Sequence, residues 1–208
     1  NCVVIREDGS FYGDNTDYSG FIAGLKRGLP QVVQDPVRLE HVVQLGAGGA
    51  GSATAYALCR LGVRRLSLFE RDAAKAQGLA EQLSGLFPQT RVEVLSGDEH
   101  LIEALLEAQG LVNATPVGMH VHPGMPLSES ALRAEVLREG LWVADVIYLP
   151  QETQLVRAAR AAGCEVLTGG YMAVGQAVDA FRLFTGLEPN AERMAAHFET
   201  LIAAQQGV

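Results

Sequence analysis

The chain holds 208 residues, 48% of them hydrophobic and 19% charged, enough to bury the core of one large or two small domains. Its 16 Lys and Arg against 24 Asp and Glu give a net charge of -8 with no basic stripe, which argues against nucleic acid or an anionic membrane surface as main partner and favours a small molecule. There is no apolar run of about 18 residues and no signal-peptide pattern, and Cys2, Cys59 and Cys164 are odd in number without CxxC spacing, so the expectation is a cytoplasmic protein with three reduced thiols.

The chain opens at Asn1 directly on an apolar run, Cys2-Val3-Val4-Ile5, which reads as a strand entered from the middle of a longer protein. Glu7-Asp8-Gly9-Ser10 supplies a tight turn and Phe11-Tyr12 a returning strand. This hairpin delivers the chain to Asp14-Asn15-Thr16-Asp17, which reads either as the cap of a helix starting near Ser19 or as a substrate-holding cluster. Phe21, Ile22 and Leu25 form a helical apolar stripe, and Pro30 to Pro36 a joint.

From residue 41 short apolar runs alternate with helical stretches. Strands are expected at His41–Leu45, Arg65–Phe69, Arg91–Leu95, Gly110–Asn113, Leu141–Asp145 and Glu165–Leu167. Helices are expected at Ala50–Leu61, Asp72–Leu83, His100–Ala108, Ser128–Leu137 and Thr153–Ala162. That alternation is the signature of a doubly wound α/β domain with a parallel sheet covered on both faces. Further helical stripes, Ala177–Phe184 and Met194, Phe198, Leu201 and Ile202, lie beyond it, joined by Thr185–Asn190, and with the Phe21 stripe are placed outside the sheet domain.

Gly46-Ala47-Gly48-Gly49-Ala50-Gly51 follows a strand and opens a helix, so it meets the G-x-G-x-x-G pattern of a Rossmann-like dinucleotide site in the context that gives it meaning. Gly46 allows the tight turn, Gly48 lets backbone approach a pyrophosphate, and Gly51 lets helix and strand pack closely. About 20 residues on stands Glu70-Arg71-Asp72, where a carboxylate would accept from the adenosine ribose hydroxyls and repel a 2′-phosphate by roughly 4 kcal/mol at ~4 Å and an effective dielectric near 20. This favours NAD. Arg71 keeps NADP as the alternative, since a guanidinium either stacks on adenine or clamps a 2′-phosphate.

Five ordered blocks, "GDNTD" at 13–17, "GAGGAG" at 46–51, "NATPVGM" at 113–119, "DVIYLPQET" at 145–153 and "MAVGQAVDAF" at 172–181, resemble the shikimate dehydrogenase family, including its quinate/shikimate branch. The resemblance implies a substrate-binding unit ending in residues 1–34, a dinucleotide-binding domain at 35–169, and C-terminal helices at 170–208 that return to the substrate unit. It implies Asp17 as catalytic aspartate and substrate ligand, with Asn1, Gln176 and Tyr148 as further substrate ligands. Asn113, Ala114, Thr115 and the backbone around Met172 would line the cofactor. On the residues alone, Gln176 also reads as a satisfied half-buried amide and Tyr148 as the end of its strand.

The chain departs from the family pattern in having Cys2 after Asn1, Tyr171 where glycine is common, and no counterpart of the segment with the serine clamp and catalytic lysine; Lys26 and Lys75 fall in helical or surface contexts. Asp145, at a strand end, reads as a partner for the backbone of the next turn. His120-Val121-His122 has ligand spacing but no third ligand, so no metal is expected. The implied activity is reversible hydride transfer between NAD(P) and a ring hydroxyl of shikimate or quinate, a small-molecule partner. A noncatalytic nucleotide sensor or partner subunit is the alternative, and the stripe at Met194–Ile202 would pack against the substrate unit or a second copy in a homodimer.

Overall fold

In the computed structural model, which describes residues 1–206, the chain begins with an antiparallel hairpin of β1 (Cys2–Ile5) and β2 (Phe11–Asp14). Helix α1 (Thr16–Gly28) follows at once, three residues earlier than expected. The Pro30–Pro36 joint is itself folded: α2 (Pro30–Gln34) and a 3-10 turn (Pro36–Leu39) bury Val32 and Leu39. Both begin with Pro, whose fixed φ and missing N–H suit a first helical position.

Six strands then form the predicted sheet: β3 (His41–Leu45), β4 (Arg65–Phe69), β5 (Arg91–Leu95), β6 (Gly110–Asn113), β7 (Trp142–Asp145) and β8 (Glu165–Leu167). All neighbours run parallel, in the order β5-β4-β3-β6-β7-β8. The intervening helices are α3 (Gly49–Arg60), α4 (Ala73–Leu86), α5 (Gly97–Glu107), α6 (Glu129–Arg133) and α7 (Gln154–Ala161). Helix α6 is shorter than its apolar pattern suggested, ending before Glu135, which takes a positive φ of 54°. Helix α8 (Gly169–Thr185) starts eight residues before the apolar stripe by which it was recognised, and α9 (Ala191–Gln206) closes the chain.

Side chains alternate across the strands and so feed two cores. Val42, Leu66, Leu68, Val112 and Trp142 pack on one face with Ala55, Leu58 and Leu83, whereas Val43, Leu45, Leu111 and Val143 pack on the other with Leu101, Leu105 and Leu155. Phe21 and Leu25 of α1, placed outside the sheet domain from sequence, share the first core. Both are buried, as are Ala53, Ala55 and Ala57 of the neighbouring α3.

Helices α1 and α8 meet along a glycine seam at Gly20, Gly24 and Gly28. A Cβ on Gly20 would stand 2.4 Å from the Gln176 backbone N, and one on Gly175 2.8 Å from the Gly20 carbonyl. Neither contact can be relieved by turning a side chain. Gly20→Ala is therefore expected to cost about 1–3 kcal/mol by overpacking, more than the ~1 kcal/mol that Ala gains over Gly in a helix. Gly78→Ala on α4, where an added Cβ meets nothing within 4 Å, is expected to be neutral or stabilising. Urea unfolding of the two variants measures the contrast; equal midpoints would refute the seam.

At the N-terminal end of β3, opposite the end that leads into the glycine-rich turn, buried His41 shares a 2.8 Å hydrogen bond with Ser67, whose hydroxyl donates to Glu93 at 2.7 Å. Because Ser67 gives its proton to Glu93, His41 Nε2 is the donor to Ser67, and its Nδ1 has no partner. Burial, with Arg65 nearby, pulls the imidazole down to about 4. A base with a depressed folded pKa is uncharged in the fold while the unfolded chain protonates near 6.5, so its contribution to stability is lost as pH falls from 6.5 towards 4. The stability advantage of the wild type over His41→Gln is expected to shrink by roughly 2 to 3 kcal/mol between pH 7 and pH 4.5. Denaturant curves of both proteins at the two pH values check it, and a constant difference would refute it.

Candidate active site

The strand order reverses between β3 and β6, so the loops leaving their C-terminal ends diverge and open a crevice, the place where ligands bind in open α/β sheets. The glycine-rich turn occupies it. Gly46 has a φ of +94°, and a Cβ there would meet the Ala114 carbonyl O at 2.8 Å; a Cβ on Gly51 would meet the Gly46 O at 2.4 Å. The turn is pinned from below by Gln44, whose buried amide donates to the Gly46 and Gly51 carbonyls at 2.9 and 2.8 Å and accepts from Thr54 at 2.8 Å. Gln44 had drawn no attention in the sequence, where it is merely the polar residue of an apolar strand.

Gly48 and Gly49 behave differently: a Cβ on either would meet nothing within 4 Å. Helix α3 starts there with Gly48 as N-cap and no side chain capping it, so its first N–H groups, including that of Ala50, are offered to whatever approaches. The protein itself has no steric need for these two glycines. A ligand lying on the backbone would.

At the end of β4, Glu70 accepts from the Ala47 backbone N at 2.9 Å and from the Arg71 N at 2.8 Å. Burial opposes its ionisation, but these donors and the Asp72 N–H outweigh it and hold the carboxyl below its usual range. Glu70 thus ties the glycine turn to β4 and still borders a cleft of about 410 Å³, which Gly46, Gly48, Arg71, Lys75 and Thr115 also line. Lys75, expected in a helical or surface context, stands in the first turn of α4 and lines the cleft.

The NATPV loop forms the other wall. Asn113, expected among the cofactor contacts, is fully buried and spends its side chain internally: Oδ1 accepts from the Thr115 N and Oγ1, while Nδ2 donates to the Val117 carbonyl and to Asp145. It shapes the loop that presents Ala114 and Thr115. Asp145 in turn accepts from the Ile147 N at 3.1 Å and the Thr153 hydroxyl at 2.7 Å, the backbone role read for it from sequence. Burial pushes its carboxyl up to about 6 against these donors.

Within the Asp14–Asp17 cluster the capping reading falls to one residue. Asn15 caps α1, its side chain accepting from the Asp17 N at 2.9 Å, and Asp14 accepts from the Asn15 N. The Asp17 carboxylate is left for other work. Asn1 reaches across from the hairpin: its Oδ1 accepts from the Thr16 N at 2.8 Å, which fixes the amide's orientation, so Nδ2 donates to Asp17 Oδ1 at 2.8 Å. Gln176 arrives from α8, brought close by the Gly20–Gly175 seam, and faces the Thr16 hydroxyl.

Asn1, Asp17 and Gln176, separated by up to 175 positions in sequence, therefore converge at one spot, with Thr16 between them. Tyr148 stands apart from these hydrogen bonds, half exposed after β7 with its ring tilted against Phe198 of α9, 6.3 Å between centroids. Met172 is buried in the first turns of α8 within the first core. Lys26 and Lys75 are exposed, and neither forms an ion pair with Asp17. His120 and His122 lie in the turn after the NATPV loop, and among the described residues no group of three His, Cys, Asp or Glu is placed to hold a metal. The three cysteines are free and buried. No described helix is long and apolar enough to cross a membrane.

An all-parallel sheet with this strand order and a glycine turn at the switch point is an α/β fold of the Rossmann-like class. Comparison with known proteins narrows the class. The model of the shikimate 5′-dehydrogenase C-terminal domain matches residues 171–197. The chain is 54% identical over 206 residues to a shikimate dehydrogenase (NADP(+)) of Arthrobacter sp. strain FB24, covering 99% of this chain and 66% of the relative. It is 47% identical over 201 residues to a quinate/shikimate dehydrogenase (NAD(+)) of Corynebacterium efficiens, covering 97% and 67%. Quinate dehydrogenase from Corynebacterium glutamicum in complex with NAD superposes with a TM-score of 0.85 at 45% identity, over 95% of this chain and 66% of that one. The chain belongs to the shikimate dehydrogenase family, and it spans about two thirds of the length of the curated relatives it matches.

Proposed function

We propose that this chain carries the dinucleotide-binding domain (35–169) and part of the substrate-binding unit (1–34 and 170–208) of an NAD(P)-dependent shikimate or quinate dehydrogenase. The observation that carries the reading is the meeting of Asn1, Asp17 and Gln176 on the same molecule as a glycine turn whose Gly48 and Gly49 the fold does not itself require. The fit to a dinucleotide is good: uncapped N–H groups of α3 suit a pyrophosphate, and Glu70 at the cleft rim suits ribose hydroxyls.

When bound, the nicotinamide supplies the hydride acceptor or donor. This chain's own residues supply part of the rest, the serine clamp and catalytic lysine of the resemblance having no counterpart among them. Asp17, as the carboxylate of the Lys/Asp pair that the resemblance implies, holds the ring hydroxyl and takes part in moving its proton, its second oxygen being free of the Asn1 bond. Asn1 fixes the carboxylate's orientation. Gln176, which uses one Nε2 proton on the Ala173 carbonyl at 3.2 Å, has the other for a substrate hydroxyl. Tyr148 lies on the approach to the substrate carboxylate, while Thr115, Ala114 and Met172 border the cofactor's path.

Glu70 favours NAD, because a 2′-phosphate beside its carboxylate would meet like charge. Arg71 and Lys75 on the same cleft support NADP as the second reading, and relatives of both kinds exist. The partner is a small ring acid, the compartment the cytoplasm, and a homodimer would use the exposed Phe184, Leu187 and Leu201 of the C-terminal region.

Steady-state assays of the protein in its full native length, with shikimate and quinate against NAD+ and NADP+, test this. The reading expects turnover of at least one acid, faster with NAD+. No turnover in any of the four combinations would overturn it.

A further inference from the structure

Thr16 has no role in the scheme above, yet it is buried where the three substrate-facing groups meet. Its hydroxyl accepts from Asn1 Nδ2 at 3.2 Å and lies 3.4 Å from Gln176 Oε1 and 3.7 Å from the Cys2 sulfur. The directions of these bonds are fixed by backbone groups that cannot change role. The Thr16 N–H must donate, so it faces Asn1 Oδ1 and turns Nδ2 towards both Asp17 and the Thr16 hydroxyl. The Ala173 carbonyl must accept, so it faces Gln176 Nε2 and leaves Oε1 towards Thr16.

An amide oxygen cannot donate, so the single Thr16 proton is the one that links to Gln176. Of the other acceptors within reach, Asn1 Oδ1 at 3.4 Å is already served by the Thr16 N at 2.8 Å, and the Cys2 sulfur at 3.7 Å is a weak acceptor that can itself donate to the hydroxyl.

We infer that Thr16 is a positioning residue: its hydroxyl, accepting from Asn1 on the hairpin and donating to Gln176 on α8, ties together two amides whose polarity the backbone fixes, and so holds Asn1 Nδ2 on the Asp17 carboxylate and the remaining Gln176 Nε2 proton towards the ring acid. The inference deepens the proposed dehydrogenase reading and rests on it for the identity of the substrate. The hydroxyl reaches the substrate only through its neighbours. Its long bond to Gln176 is of the kind that shortens when a substrate closes the site. Cys2 belongs to the same knot, where its sulfur packs against the hydroxyl.

Thr16→Val keeps the shape and removes the hydroxyl; Thr16→Ser keeps the hydroxyl and removes the methyl. In the native-length protein Thr16→Val is expected to raise KM for the ring acid about tenfold, with KM for the dinucleotide within about twofold of wild type, and Thr16→Ser to stay within about threefold on both. A second readout needs no substrate: the side-chain amide signals of Asn1 and Gln176 in 1H–15N spectra should both move in Thr16→Val and return in Thr16→Ser.

Wild-type kinetics in Thr16→Val, or a defect shared equally by Thr16→Ser, overturns the inference, as do amide signals that stay in place in Thr16→Val. An inactive wild type whose amide signals move as described overturns the dehydrogenase reading and upholds the hydrogen-bonded link.

Discussion

Replacing Asp17 by Asn is expected to lower kcat with the ring acid by a factor of about 10² to 10⁴, the range over which a positioned general base acts, while dinucleotide affinity stays within about twofold. The change is informative because it spares the fold. Asn15, not Asp17, caps α1, and the one side-chain bond of Asp17, to Asn1 Nδ2, can be accepted equally by an amide oxygen. What is lost is charge and proton affinity at one atom. The helix also loses an acidic group from its first turn, worth about 0.3–1 kcal/mol, too little to unfold a domain of this size. Stopped turnover with intact cofactor binding would separate chemistry from assembly; unchanged kcat would remove Asp17 from the mechanism.

The second large effect concerns two glycines three positions apart that should fail in different ways. Gly51→Val places a Cβ 2.4 Å from the Gly46 carbonyl, backbone against backbone, so α3 must lift from β3 and the Gln44 bonds to both carbonyls must stretch. A stability loss of about 2–4 kcal/mol is expected, with dinucleotide binding lost as a consequence. Gly48→Val adds its side chain to open space, so stability should stay within about 1 kcal/mol, yet dinucleotide affinity should fall at least tenfold because the added methyls occupy the pyrophosphate's place. Thermal unfolding with and without NADH reads both quantities. A Gly48→Val protein that still gains the full ligand-induced shift would place the dinucleotide elsewhere.

Much of this was legible in the residues because it follows from local rules. The short apolar runs of β3, β6 and β7, alternating with helical stretches, read as strands, and Gly46 to Gly51, set between a strand and a helix, announced its turn. The Asp145 bond to the next backbone turn was equally readable, since a carboxylate at a buried strand end must find donors.

Other features escaped because they depend on which elements meet. The spacing of Gly20, Gly24 and Gly28 reads as poor helix composition until α8 is seen lying on it. That seam also places Phe21 and Leu25 over the sheet, where the sequence had set them outside it. Gln44 and Thr16 are single polar residues whose value comes from carbonyls and amides far along the chain. Asn113 was assigned to the cofactor through the motif it belongs to, but its side chain is consumed in shaping the loop. The start of α8 was missed because Gly169 and Gly170 look like a break; there the glycines admit the Val146 carbonyl and the Phe198 ring instead.

One spatial relation is central to the proposed function: a dinucleotide seated on the Gly46–Gly51 turn brings its nicotinamide to the spot held by Asn1, Asp17 and Gln176. A crystal structure of the native-length protein with NADH and quinate or shikimate measures it directly. The expected result is a nicotinamide C4 about 3–3.5 Å from the ring carbon whose hydroxyl is hydrogen-bonded to Asp17. A ring acid bound away from Asp17, or a dinucleotide whose pyrophosphate does not lie on Gly48, would contradict it.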